Sequence, residues 1–400
     1  MIKRTQYLAK LHNLRDKNVI KIITGIRRCG KSTLFKQFQQ ELMDAGVNKK
    51  QIISLNLEEM ENEALLERHV LNDYILRLAD PKKKNYVFLD EIQNVPQFEK
   101  LVDSLFVKEF LDIYITGSNA YMLSSDLATF MSGRYVEIKM MPFSFYEFTQ
   151  NYQNTSKAEM FNEYLNYGGF PEVSNFLHHN AKTEISSYLE NIYKTVLEKD
   201  IKKRKEIRLE FDFNNLVRFA FDTIGNLVSP NKIANTLSQN GNKINRLTVE
   251  SYLSALTDSF VLYQANRFDI KGKKLLQTLN KYYVVDMGLM RNLLGKDSKI
   301  DRGHILENIV YLELLRRNQS VWIGKNEERE VDFVVKTHEG KTEYYQITET
   351  MLGAETRERE LKSLNIIKDH NLKFVLTMDE GEENYNGINQ INIIDWLLSG

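Results

Sequence analysis

The stretch Gly25-Ile26-Arg27-Arg28-Cys29-Gly30-Lys31-Ser32 constrains this chain more than any other. It follows the β-branched run Val-Ile-Lys-Ile-Ile-Thr at 19–24 and precedes residues 32–43, where Leu34, Phe35, Phe38 and Leu42 recur at helical spacing. The pattern is G-x-x-x-x-G-K-[ST] between a strand and a helix. Gly25 and Gly30 let the backbone turn so that successive N–H groups face phosphate oxygens. The helix that begins near Lys31 adds its positive end. Lys31 is expected on the β- and γ-phosphates of ATP and Ser32 on Mg²⁺, with Ile26, Arg27, Arg28, Cys29 and Thr33 completing the loop. Cys29 reads first as a small filler, although a helix N-terminus could also lower its pKa and make it reactive.

Further runs at 51–57, 86–89 and 112–116 read as strands separated by helical stretches. That alternation predicts an α/β fold with a parallel sheet covered on both faces. The run at 86–89 ends in Asp90-Glu91, and ligands of such sheets lie at the carboxyl ends of strands. Asp90 is expected to hold Mg²⁺ with Ser32, and Glu91 to polarise the attacking water. The run at 112–116 ends in Thr116-Gly117-Ser118-Asn119, where a polar side chain would sit between the other two strand ends. Gly133-Arg134 follows a predicted helix; Arg134 is a candidate to stabilise transition-state charge, with a surface salt bridge as the plainer alternative.

Composition narrows the partners. The 400 residues carry 54 Lys+Arg against 54 Asp+Glu, so any affinity for nucleic acid must come from local patches. Two segments qualify: 199–208 and 265–281 each carry a local net charge of about +4 (6 − 2 and 5 − 1). Cys29 is the single cysteine, which excludes an internal disulfide and suits a reducing cytoplasm. The charged N-terminus does not read as a signal peptide, and no window is apolar enough for a membrane helix. After about residue 150 the pattern turns helical through 224. Residues 229–268 read as two short helices and a strand, and a second α/β region follows from about 303.

GIRRCGKSTL, FLDEIQNV, ITGSNAYMLSSDLATFMSGR, MPFSFYEF, YGGFPEV, VLEKDIKKR, YYVVDMGL, HILENIVYLELLRR and EREVDF occur in that order. Together they resemble the prokaryotic AAA-superfamily P-loop ATPases that carry a C-terminal domain of unknown function. The resemblance spans nearly the whole chain. It implies an AAA-type core over 1–150, a helical lid over 151–208, a winged-helix module over 209–298 and a degenerate PD-(D/E)xK nuclease-like domain over 299–400. It also implies that Ser118 or Asn119 is the polar sensor, that Arg134 is the arginine-finger candidate in cis or trans, and that a homo-oligomer is an option.

The tail brings its own chemistry. Glu307 lies on the helix at 304–317; Glu330 and Asp332 alternate on one strand, as Gln346 and Thr348 do on the next. A nuclease of this layout would offer an acid and a lysine where Gln346 and Thr348 stand. An amide binds Mg²⁺ less well than a carboxylate, and threonine brings no charge. Lys336 shares the parity of Asp332 and is a candidate relocated lysine. The expected function is a Mg²⁺-dependent, cytoplasmic ATPase that couples nucleotide state to C-terminal modules docking protein or DNA. The alternatives are an ATP/ADP switch with little turnover and an ATP-gated nuclease.

Overall fold

The five strands of the first sheet are β1 (Ile20–Thr24), β2 (Ile52–Asn56), β3 (Asn85–Asp90), β4 (Leu111–Gly117) and β5 (Tyr135–Lys139). They lie in the order β2-β3-β4-β1-β5, and each neighbouring pair is parallel. The central strands are buried along their whole length, as their unbroken apolar runs require. Helices α1 (Thr5–Leu14), α2 (Lys31–Asp44), α3 (Arg68–Leu78) and α4 (Phe98–Phe106) accompany the sheet.

Alternation along β3 and β4 sorts the two faces. Phe35 of α2 meets Phe88 with ring centroids 5.0 Å apart, and Phe88 stacks on Tyr114 at 4.7 Å. The opposite parity, Val87, Leu89, Ile113 and Ile115, joins Leu71, Ile75, Leu101 and Leu105 from α3 and α4 in one core cluster. Asp90 shares the parity of Phe88, so it emerges on the side of α2. Lys21, the lysine inside the first apolar run, is fully buried against Asp112.

The computed structural model describes residues 2–120, 133–203, 207, 210–239, 244–295, 300–327 and 329–399. The chain divides into two units. The first comprises Met1–Pro142 with the short segments Thr195–Ile201 and Asp258–Phe260; the second comprises Phe143–Lys194, Lys202–Thr257 and Val261–Gly400.

The second unit opens with α5 (Phe145–Thr149), α6 (Lys157–Tyr167), α7 (Pro171–His178) and α8 (Lys182–Val196), the last of which ends in the first unit. A π-helical turn, Leu197–Lys202, follows. Next come α9 (Glu210–Asp222), α10 (Pro230–Gln239) and α11 (Arg246–Asp258), then the antiparallel pair β6 (Leu262–Asp269) and β7 (Lys274–Val284). After α12 (Met287–Leu294) and α13 (Arg302–Arg317) come β8 (Ser320–Asn326), β9 (Arg329–Lys336) and β10 (Thr342–Ile347). Then follow α14 (Ala354–Asn365), β11 (Leu372–Thr377), β12 (Glu383–Tyr385), β13 (Ile388–Asn392) and α15 (Ile393–Leu398). Its eight strands form one mixed sheet in the order β12-β13-β11-β10-β9-β8-β6-β7. The strand pair β6-β7 therefore shares a sheet with the strands beyond residue 319, across the boundary expected at 298.

Candidate functional site

The loop between β1 and α2 has the backbone its glycines permit. Gly25 and Gly30 have φ of 153° and 107°, and a Cβ at Gly25 would lie 2.0 Å from the Met140 carbonyl oxygen. Lys31 folds back into the loop. Its Nζ donates to the carbonyls of Gly25 at 2.9 Å and Ile26 at 3.4 Å, and it lies 3.6 Å from Glu91 Oε1. Burial works against its charge, yet Glu91, Cys29 and Asp90 hold its pKa above the ordinary value.

Strand order explains how the acids arrive. β4 lies between β3 and β1, so the strand end at Thr116 separates the acids from the loop strand, as the sequence led one to expect. The Thr116 hydroxyl donates to Asp90 and accepts the Glu91 N–H at 2.9 Å. Ser32, at the start of α2, also hydrogen-bonds Asp90. Burial raises the Asp90 pKa, and these two hydroxyls oppose the rise. Glu91 stands in the left-handed region, φ 55°, which turns the chain off the strand. Its carboxylate accepts a hydrogen bond from Gln93, whose amide also reaches the Ser118 hydroxyl at 3.3 Å.

Two residues that sequence reasoning passed over complete this site. Arg4 is 2% exposed; it donates to the carbonyl of Cys29 at 3.0 Å and to that of Met141 at 2.7 Å. Asp200, from the π-helical turn, accepts Arg27 Nε at 2.7 Å and the Ser118 hydroxyl at 2.9 Å, while its carbonyl accepts the Asn119 amide at 3.2 Å. Burial pushes the Asp200 pKa up, and Arg27 opposes that push. Asp200 lay in view within VLEKDIKKR, but as one of the few acids of a basic run. π-turns recur at functional sites.

The structure redirects several expectations. Ser118 and Asn119 are buried; the Ser118 hydroxyl donates to the Asp200 carboxylate and the Asn119 amide to the Asp200 carbonyl. Cys29 is fully buried and burial raises its pKa, so it is the filler and not the reactive thiol. Arg134 immediately precedes β5, and its carbonyl accepts the Ile20 N–H at 2.8 Å. It therefore lies at the amino ends of β1 and β5, the sheet edge opposite the phosphate loop, half-exposed and paired with Asp103. In cis it does not reach the site.

In the second unit, Glu307, Glu330, Asp332, Gln346 and Thr348 line one cavity of about 560 Å³. One buried cation already stands among these acids. Lys281 Nζ, on β7, lies 2.9 Å from Glu307 and 2.6 Å from Glu330, and the Tyr283 hydroxyl donates to Glu307 at 2.5 Å. Burial opposes ionisation of Glu307, but Lys281 and His304 carry its pKa below the ordinary value. Burial, then the Glu307 charge, drives the Asp332 pKa well up. The Gln346 amide donates to Glu360 at 2.9 Å. Lys336 is exposed and lies outside the cavity lining; the buried cation is Lys281. Among the described residues no group of three His, Cys, Asp or Glu is placed to hold a metal ion.

The basic segments are also less free than their composition suggests. Lys281 is buried, Lys271 pairs with Glu327, Lys199 with Glu58 and Lys202 with Glu210. Residues 204–206, 208 and 209 lie outside the described residues. Among the described residues no helix is long and apolar enough to cross a membrane.

Comparison with known proteins places this geometry. Residues 17–149 match the AAA domain, and residues 158–300 match a domain of unknown function (DUF8612). An uncharacterized protein of Haemophilus influenzae is 36% identical over 100% of this chain and 99% of its own length. The uncharacterized protein MJ1544 of Methanocaldococcus jannaschii is 32% identical over 92% of this chain and 84% of its own. Among solved structures, the Walker-type ATPase PABY2304 of Pyrococcus abyssi shares the fold with a TM-score of 0.51 at 16% identity, covering 73% of this chain and 96% of that one. The chain therefore belongs to the family of these two uncharacterized relatives, and within it the AAA domain match is followed by the match to the domain of unknown function.

Proposed function

We propose that this protein binds ATP with Mg²⁺ at the loop Gly25–Ser32 and hydrolyses it. The observation that carries this reading is the placement of Lys31. A buried ammonium is held on the carbonyls of its own loop, next to Glu91 and the hydrogen-bonded Ser32–Asp90 pair. Phosphate oxygens are stronger partners for an ammonium than neutral carbonyls, so ATP would draw Lys31 outward without rebuilding the loop. Ser32 and Asp90 offer the hard oxygen donors that Mg²⁺ takes. Mg²⁺, when bound, would neutralise charge on the β- and γ-phosphates. Glu91 is the residue to orient the attacking water, and Thr116 fixes its backbone. Arg4 and Asp200 act as positioning residues, one on the loop carbonyl at Cys29 and the other on Arg27.

One observation favours a nucleotide switch with slow turnover as a second reading. Both Glu91 oxygens are engaged, one by Gln93 and one near Lys31. If ATP does not release them, nucleotide binds and turnover stays low. Isothermal titration tests the common core: Lys31→Ala should weaken ATP at least roughly tenfold, about 1.4 kcal/mol. Unchanged affinity would sink the nucleotide assignment. Phosphate release by purified protein separates the two readings, because a rate equal to buffer with ATP bound selects the switch.

A further inference from the structure

Three helices of the second unit, α6, α8 and α12, wall a cavity of about 680 Å³ separate from the sites above. That volume falls within the roughly 300–1,000 Å³ range of small-molecule sites. The helices are held close. Gly288 opens α12 against the end of α6, where a Cβ would lie 2.0 Å from the Tyr167 carbonyl oxygen. Ile185 and Leu189 of α8, each 2% exposed, give one wall its apolar character.

Arg291 sets the chemistry. Arg291 belongs to the cavity wall, and its Nε is buried with no hydrogen-bond partner. Among the described residues no carboxylate pairs with it, and burial alone lowers its pKa. A buried N–H donor is costly unless something accepts from it. The second cation, Lys182, is already answered by Glu163 at 2.6 Å. Among the described residues the cavity thus holds one positive charge with no carboxylate partner, beside an apolar wall. One charge matches a monoanion.

We infer that this cavity is a binding site for a small organic carboxylate with an apolar body, whose carboxylate pairs with Arg291 while the body lies against Ile185 and Leu189. The inference is independent of the ATP reading. Guanidinium and carboxylate match in plane and can bond in parallel, which gives orientation as well as affinity.

Ligand-observed NMR on the full chain tests it with straight-chain carboxylates from butyrate to decanoate and phenylacetate, against the matching alcohols and inorganic phosphate. At least one carboxylate should bind saturably, at least roughly tenfold tighter than its alcohol. Arg291→Met should abolish that preference. Leu189→Trp, which fills the cavity and keeps the arginine, should abolish binding; it also decides the matter if Arg291→Met fails to melt cooperatively. The inference is overturned if no carboxylate binds saturably, if the alcohols bind equally well, if phosphate is preferred, or if both folded variants bind like wild type.

Discussion

Each unit buries a lysine among carboxylates, and the two lysines are held in opposite ways. Lys31 rests on the carbonyls of Gly25 and Ile26, with Glu91 slightly beyond hydrogen-bond reach at 3.6 Å. Lys281 is tied to two carboxylates, Glu307 at 2.9 Å and Glu330 at 2.6 Å. A neutral carbonyl is a weaker partner for an ammonium than an anion is, so on the proposed reading the first charge is the reserve that an incoming phosphate would use. The second charge is already spent on its own acids. The same residue types are thus joined in two ways, one through backbone carbonyls and one directly to carboxylates.

The largest effect should come from the acid beside the reserve charge. Glu91→Gln should keep ATP bound and slow phosphate release by a factor on the order of 10²–10⁴. A wild-type rate would move the water-orienting role elsewhere and leave the first site chemically as idle as the second. Next is the spent charge. Lys281→Met leaves buried acids unpaired and should cost about 3–5 kcal/mol in urea unfolding. Lys31→Met, whose partners include two carbonyls, should cost clearly less while losing ATP. Equal losses would erase the distinction.

A smaller effect separates the acids within the second cavity. The folded-state pKa of Asp332 is raised, so its ionisation weakens the fold as pH climbs above the ordinary aspartate range. Asp332→Asn should therefore be more stable than wild type at pH 7 and lose that advantage near pH 4. Glu307 has the opposite sign. Its folded pKa is depressed, so its contribution is present above the ordinary value of 4.5 and fades as pH falls through the lower folded pKa. A wild-type advantage over Asp332→Asn at pH 7 would mean that Asp332 is a paired anion. The smallest effect should be at Arg134. Its half-exposed pair with Asp103 predicts a stability change for Arg134→Ala within about 0.5 kcal/mol and unchanged ATP affinity. Loss of a concentration-dependent rise in specific activity would instead mark it as a finger acting in trans.

What the sequence revealed follows the range of the forces involved. The loop Gly25–Ser32, the strands beside it and the acids at Asp90 were legible because glycine conformation, period-2 burial and strand-end chemistry are local properties. The shared face of Glu330 and Asp332 was legible from strand parity, and the approach of Glu307 to them only from the family resemblance. Arg4 and Asp200 were not, because each acts across a gap in sequence that no periodicity encodes. Lys281 was counted as surface charge, since composition cannot tell a solvated lysine from one facing buried acids. Arg134 was a finger candidate in cis or trans with a surface salt bridge as the alternative, and strand direction, which no motif encodes, carries it to the far edge, where it pairs with Asp103. The beginning of β7, where Leu is broken up by Lys, Gln, Thr and Asn, hid the length of that strand behind the apolar Tyr282–Val285.

The short visit of the chain to the first unit at Thr195–Ile201 bears on inheritance and on protein production alike. A gene fragment cut to the AAA match, residues 17–149, would discard Arg4 and Asp200 together, and with them the clamps on the Cys29 carbonyl and on Arg27. No single breakpoint separates the two units, so recombination that swaps one for a foreign counterpart would need several crossovers at once. Such a chain tends to be inherited whole. Two relatives that align over at least 84% of their own lengths, one bacterial and one archaeal, are what that indivisibility would leave behind.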